Sequence, residues 1–183
     1  MSIEIEKKYR LTNEQFKEVL ESLKDLNAEF IREDFEVNEL YGGGILKRQK
    51  ALLRVRKINE RTILTYKKSL KNNLGVKQHI EHETEVSDCQ AIENIIKSLG
   101  FQMGMVYEKR RQTWRLQGVE ICLDELPFGL FMEIEGKISD IGLIEMMLEA
   151  ESFQVEPNTY PKLTFHLGVE KDGVMEARFT KKS

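Results

Sequence analysis

Cysteine, proline and tryptophan are scarce in this chain of 183 residues: two, three and one of each. Cys89 and Cys122 alone give neither a disulfide framework nor the paired spacing of a zinc site. The three histidines, His79, His82 and His166, form no His-Glu-x-x-His pattern. No run approaches the roughly 18 apolar residues of a membrane span, and the first residues hold no apolar secretion signal. A reducing, cytoplasmic setting is expected. The glycines at 42–44 are not followed by Gly-Lys-Ser/Thr, which excludes a P-loop. With 40% hydrophobic residues the chain is too apolar for a disordered one, and its length suits one domain with a sizeable core.

Charge is plentiful and unevenly placed. The net value is only −3, yet residues 47–77 hold eleven Lys or Arg and a single acid, Glu60. Such a stretch suits a polyanion. A duplex nucleic-acid binder is usually basic overall, whereas here 31 acids stand against 28 bases.

Helical spacing marks residues 12–26, with Phe16, Val19, Leu20 and Leu23 on one face and Thr12 with Gln15 as a capping box. A second helix is expected over 88–99, with Ala91, Ile92, Ile95, Ile96 and Leu99 on one side. A third covers 140–149, with Ile144, Met147 and Leu148 buried, and a short one follows Thr159, using Leu163 and Leu167. The remainder reads as strands at 2–11, 29–41, 51–58, 62–69, 77–86, 101–116, 119–126 and 130–138. Turn signals separate most of them, at Gly42-Gly43-Gly44, Asn59-Glu60, Asn72-Asn73-Leu74-Gly75, Gln117-Gly118 and Pro127-Phe128-Gly129. Short links favour antiparallel pairing, and eight strands are enough to close a barrel. The fold expected is α+β: an eight-stranded antiparallel β-barrel with amphipathic helices packed outside. Residues from 171 onward read as a loose tail.

Alternation along these strands gathers charge on one face. Glu4, Glu6 and Lys8 share a face of the first strand, and Arg54 and Arg56 of the third. Thr65 and Lys67 share one in the fourth, and Glu81, Glu83 and Glu85 in the fifth. Lys109 and Arg111 follow in the sixth, Asp124 in the seventh, and Glu133 and Glu135 in the eighth. For any single pair an ordinary solvated face is the simpler reading. Repeated like-signed pairs on neighbouring strands, however, need partners of opposite sign. If these faces point into a closed barrel, the lumen holds an acidic and a basic cluster, and the apolar alternates face outward under the helices. Arg and Lys bind phosphate oxygens, and carboxylates hold Mg²⁺ or Mn²⁺ that bridges them. The basic set is Lys8, Arg54, Arg56, Lys67, Lys109 and Arg111. The acidic set is Glu4, Glu6, Glu83, Glu85, Asp124, Glu133 and Glu135. The ligand class this suits is a triphosphate.

Glu4-Ile5-Glu6-Lys7-Lys8 resembles the Glu-x-Glu-x-Lys signature of the CYTH superfamily, also called triphosphate tunnel metalloenzymes. The resemblance continues through Leu53-Arg54-Val55-Arg56, Thr65-Tyr66-Lys67, Glu83-Thr84-Glu85, Lys109-Arg110-Arg111, Leu123-Asp124-Glu125 and Phe131-Met132-Glu133-Ile134-Glu135-Gly136. Thr159-Tyr160 resembles a late Ser-Tyr. Together these cover about residues 2–168. The resemblance implies a single tunnel domain over residues 1–170, followed by a flexible tail at 171–183. It also implies phosphate binding by Arg54, Arg56, Lys67, Lys109 and Arg111, and Mg²⁺ or Mn²⁺ binding by Glu4, Glu6, Glu83, Glu85, Asp124, Glu133 and Glu135. Lys8 would help to activate water. Where the family often has Asp-x-Tyr-Phe-Asp, this chain has Asn38-Glu39-Leu40-Tyr41-Gly42. The family tyrosine then falls on Leu40, and Tyr41 points to the other face unless a bulge intervenes. The cyclases' His-Phe dipeptide ahead of the first motif is missing.

The expected function is metal-dependent hydrolysis of an inorganic, thiamine or nucleoside triphosphate. The alternatives are a class IV adenylate cyclase making cyclic AMP and pyrophosphate, and a non-catalytic polyphosphate-binding module. The expected partner is a small triphosphate, with an RNA 5′ end as a further variant and no membrane. A homodimer is expected if an apolar barrel face is left uncovered.

Overall fold

A computed structural model describes residues 2–70 and 77–180, with side chains from 5 to 70 and from 78 to 180. The turn expected at Asn72-Asn73-Leu74-Gly75 lies outside the described residues.

Eight strands make the barrel: β1 (Ser2–Leu11), β2 (Glu29–Gly42), β3 (Ala51–Ile58), β4 (Arg61–Leu70), β5 (Lys77–Val86), β6 (Gln102–Leu116), β7 (Val119–Leu126) and β8 (Gly129–Glu135). They pair antiparallel in the order β6-β2-β3-β4-β5-β1-β8-β7, and β7 pairs back onto β6 to close the ring. β1 is shared along its length. Ser2 to Glu6 pair with β5, and Glu6 to Leu11 pair with β8. With β7 on β6, neither end strand of this order is left as a free edge. The hairpin between β6 and β7 turns through Gln117 and Gly118, both at positive φ, as a two-residue turn of matching twist requires.

Helices cover the outside. Thr12 caps α1 (Asn13–Asp25) with the expected reciprocal box to Gln15. α3 (Cys89–Ser98) starts on the Asp88 side chain, and α4 (Ile138–Met147) follows β8. α1 and α4 bury one apolar cluster against β1 and β6–β8, including Tyr9, Val19, Leu23, Ile121, Ile134, Ile141 and Ile144. α4 is tied down by Glu145, which accepts from Tyr9 Oη and Lys7 Nζ, each at 2.5 Å. α3 lies over β2–β4 on Tyr41, Val55 and Ile96, but Ala91, Ile95 and Leu99, expected on the same side, are exposed. The apolar alternates of the strands therefore do face outward under helices.

Four short elements lay outside the expectation. α2 (Gly44–Gln49) is six residues, too short for periodicity to reveal; Gly43 and Gly44 open it at positive φ. β9 (Gln154–Val155) pairs with β1. β10 (Val169–Lys171) and β11 (Val174–Ala177) form a hairpin, and β11 adds parallel to β6. The segment expected as a loose tail from Lys171 is thus part of the sheet as far as Ala177, which is buried. Gly168 permits this path: a Cβ there would sit 2.6 Å from the carbonyl oxygens of both Glu176 and Thr164. α5 (Tyr160–Leu167), capped by Thr159, seats Tyr160 and Leu163 against Leu40, Tyr107, Leu126 and Phe131. Among the described residues, no helix is long and apolar enough to cross a membrane.

Candidate active site

The inner faces carry what the alternation assigned to them. Lys8, Glu36, Thr65, Glu81, Lys109, Asp124 and Glu133 are all buried within the barrel wall. Lys8, Glu36, Glu81, Lys109 and Glu133 border a cavity of about 500 Å³, lined by nine Lys or Arg and eight Asp or Glu side chains.

The bases are held by acids. On β3, Arg54 contacts Glu81 at 3.1 Å and Glu83 at 3.2 Å, and Arg56 contacts Glu83 at 2.5 Å and Glu36 at 3.7 Å. Thr65 Oγ1 donates to Glu83 at 2.6 Å, and Lys67 meets Glu81 at 2.5 Å. On β6, Lys109 stands between Glu36 at 3.3 Å and Asp124 at 3.6 Å. Arg111 forks onto Asp124 at 2.7 and 2.6 Å and also donates to Glu133. On β1, Lys8 Nζ lies 3.0 Å from Glu133 and 3.5 Å from the centre of the Tyr160 ring. All six expected bases therefore converge on one interior, oriented by charge-assisted hydrogen bonds.

The acids divide. Glu6 of β1, Glu135 of β8 and Glu120 of β7 stand in register across three neighbouring strands, and all line the cavity. Burial, together with the charges of Glu120 and Glu6, pushes the Glu135 carboxyl up to about 7, against the pull of Lys67. This crowding of like charge is what a divalent cation relieves, and carboxylate oxygens are the donors that Mg²⁺ and Mn²⁺ prefer. The donor set therefore fits such an ion. Among the described residues no three acids already surround one point as ligands would. The Glu4 side chain lies outside the described residues.

Two expected metal-holding acids stand differently. Asp124 is fully buried, and its oxygens already take the Arg111 fork and the Tyr160 hydroxyl at 2.6 Å. Its lone pairs are committed to anchoring bases. Glu85 is exposed and pairs with Arg61 at 2.9 Å; it is not among the cavity-lining residues. Alternation gave its face but not its height on the strand. Glu83 lines the cavity and is partly open to solvent.

Glu120, Glu36 and Tyr160 are among the inner residues that had no assigned role. Glu120 shares the face of Asp124, four residues on, so the same period-two rule could have found it. Glu36 lies opposite Lys109 on β6, but strand pairing was needed to see that. Tyr160 reaches in from α5, and no strand pattern points to it. Its hydroxyl is held well above its usual range by burial and by the Asp124 and Glu133 charges, so it donates. Leu40 lines the cavity, as its place in the motif implied. Tyr41 packs outward onto Val55 and Ile96 and donates to Glu39 at 3.2 Å, although the β2–β6 pairing shifts register between Leu40 and Tyr41.

Comparison with known proteins places this arrangement. A provisionally named adenylate cyclase of Methanocaldococcus jannaschii, MJ0240, is 30% identical over 151 residues, covering 80% of this chain and 84% of that one. The structure of the Pyrococcus horikoshii protein PH1012 superposes with a TM-score of 0.76 at 28% identity, covering 87% of this chain and 98% of the other. HpAC1 from Hippeastrum, a provisional adenylyl cyclase described as having a dominant triphosphatase activity, shares the fold. Its TM-score is 0.69 at 18% identity, covering 89% of this chain and 94% of the other. A family model described as CYTH domain matches residues 2–160, and the chain belongs to that family.

Proposed function

We propose that this protein is a divalent-metal-dependent enzyme that cleaves a phosphoanhydride bond of a triphosphate held inside the barrel, with water as the nucleophile. The observation that carries this reading is the lining itself: nine bases nearly balanced by eight acids around one cavity. A triphosphate brings roughly four negative charges, more than the surplus of bases can offset, so the ligand is expected to arrive with a cation.

Arg54, Arg56, Lys67, Lys109 and Arg111 would bind and orient the phosphate oxygens. Lys8, beside Glu133 and against the Tyr160 ring, is the group assigned to activate the attacking water. Glu6, Glu120, Glu133 and Glu135 would hold the metal, with Glu4 as the member assigned from sequence. When bound, the ion would neutralise phosphate oxygens and act as a Lewis acid.

The name of the M. jannaschii relative favours a second reading, in which a ribose hydroxyl attacks the α-phosphorus of ATP and pyrophosphate leaves. Incubation with inorganic triphosphate, thiamine triphosphate and ATP, each with Mg²⁺ or Mn²⁺, separates the two. Orthophosphate as the main product supports the hydrolase, and dominant cyclic AMP overturns it in favour of the cyclase. Binding of all three without turnover of any would make the protein a polyphosphate-binding module.

A further inference from the structure

The acids that partner the phosphate-facing bases differ in freedom. Glu83, with 38% of its side chain exposed, can rotate away from Arg54 and Arg56 into solvent when an anion arrives. Glu36 cannot. It is 1% exposed, lies on the inner face of β2, and borders the cavity. One oxygen stands 3.7 Å from Arg56 and the other 3.3 Å from Lys109, and Asn38 Nδ2 donates to it at 3.2 Å. Lys109 is equally buried. A phosphate oxygen that reaches Lys109 or Arg56 therefore shares it with a carboxylate that has nowhere to go.

A fixed negative charge beside a binding site penalises ligands in proportion to their own negative charge. Free triphosphate, with roughly four charges, meets about twice the repulsion of the same anion carrying one Mg²⁺. We propose that Glu36 is a specificity-determining residue: a built-in counter-charge that makes the cavity reject the free polyanion and accept its metal complex. This rests on the triphosphate reading above.

The test is calorimetric titration with inorganic triphosphate, once in EDTA and once in excess Mg²⁺. Glu36→Gln keeps the shape and the acceptor for Asn38, and leaves Lys109 with Asp124 and Arg56 with Glu83. The variant is expected to bind the free anion at least about tenfold more tightly, with a smaller gain for the Mg²⁺ complex. The preference for the complex then shrinks. Equal gains for both forms, or no gain for the free anion, would overturn the proposal. Glu85→Gln, at an exposed position outside the cavity lining, supplies an independent arm. It should leave the ratio of the two affinities at the wild-type value, and a loss of preference as large as that expected for Glu36→Gln would also overturn the idea. Failure of the wild type to bind either form would instead count against the triphosphate reading itself.

Discussion

Replacing Asp124 with Asn tests whether this carboxylate is an anchor for the bases or a site for metal. Asp124 is fully buried and accepts two hydrogen bonds from Arg111, at 2.7 and 2.6 Å, and one from Tyr160 at 2.6 Å. Asparagine keeps the shape but turns one acceptor into a donor, facing either the guanidinium or the hydroxyl. It also removes the negative charge 3.6 Å from Lys109. Breaking a buried ion pair by removing one partner costs roughly 3–5 kcal/mol, but here Arg111 keeps Glu133 and Lys109 keeps Glu36, which lowers the figure. Counting one charge-assisted bond lost and one weakened gives about 3 kcal/mol. For a chain of 183 residues, at about 2–4 °C per kcal/mol, the melting temperature should fall by roughly 6–12 °C. Thermal denaturation followed by circular dichroism reads this directly. A variant that melts within about 2 °C of the wild type, while losing Mn²⁺ affinity, would refute the anchor and restore Asp124 as a ligand.

Three other outcomes are expected. Lys8→Met should fold normally yet lose at least about a hundredfold in turnover, measured with whichever triphosphate the wild type cleaves; undiminished activity would remove Lys8 from the chemistry. Glu120→Gln and Glu135→Gln should each weaken Mn²⁺ binding about tenfold, measured by electron paramagnetic resonance of free Mn²⁺ without substrate, whereas Glu85→Gln should not; a uniform response would dissolve the in-register acidic row. Stability should fall in acid through Glu36. Burial alone would raise its pKa, but Lys109, Arg111, Arg56 and Arg54 together hold it far below the usual carboxylate range. Its contribution is complete above about pH 4.3, the ordinary glutamate value, and is lost progressively below it. Urea denaturation at pH 7, 4 and 3 should show the gap between wild type and Glu36→Gln closing as pH falls, and a constant gap would contradict the assigned charge.

The barrel was legible because period-two alternation survives in short stretches, as in Leu53-Arg54-Val55-Arg56, where a one-residue slip would exchange the two faces. The same rule put Lys8, Arg54, Arg56, Lys67, Lys109 and Arg111 on the inner side, where they now converge. It could not rank positions along a strand, and so it treated Glu85 at the exposed end of β5 like Glu83 further in. It was also silent on elements of two to six residues, which include α2 and β9–β11. Partners contributed from other elements were hidden for a different reason. Asp124 was assigned to metal, whereas Tyr160 from α5 donates to it, and Glu36 had no assignment because only strand pairing places Lys109 opposite it.

The central claim is that opposed charges, turned inward, form one binding site for a metal-bearing triphosphate. Calorimetric titration of wild type and Arg56→Ala with inorganic triphosphate in Mg²⁺ tests it most directly. The account predicts saturable binding at a single site, weakened about tenfold or more in the variant. An absence of saturable binding to the wild type, or equal binding by both proteins, would contradict it.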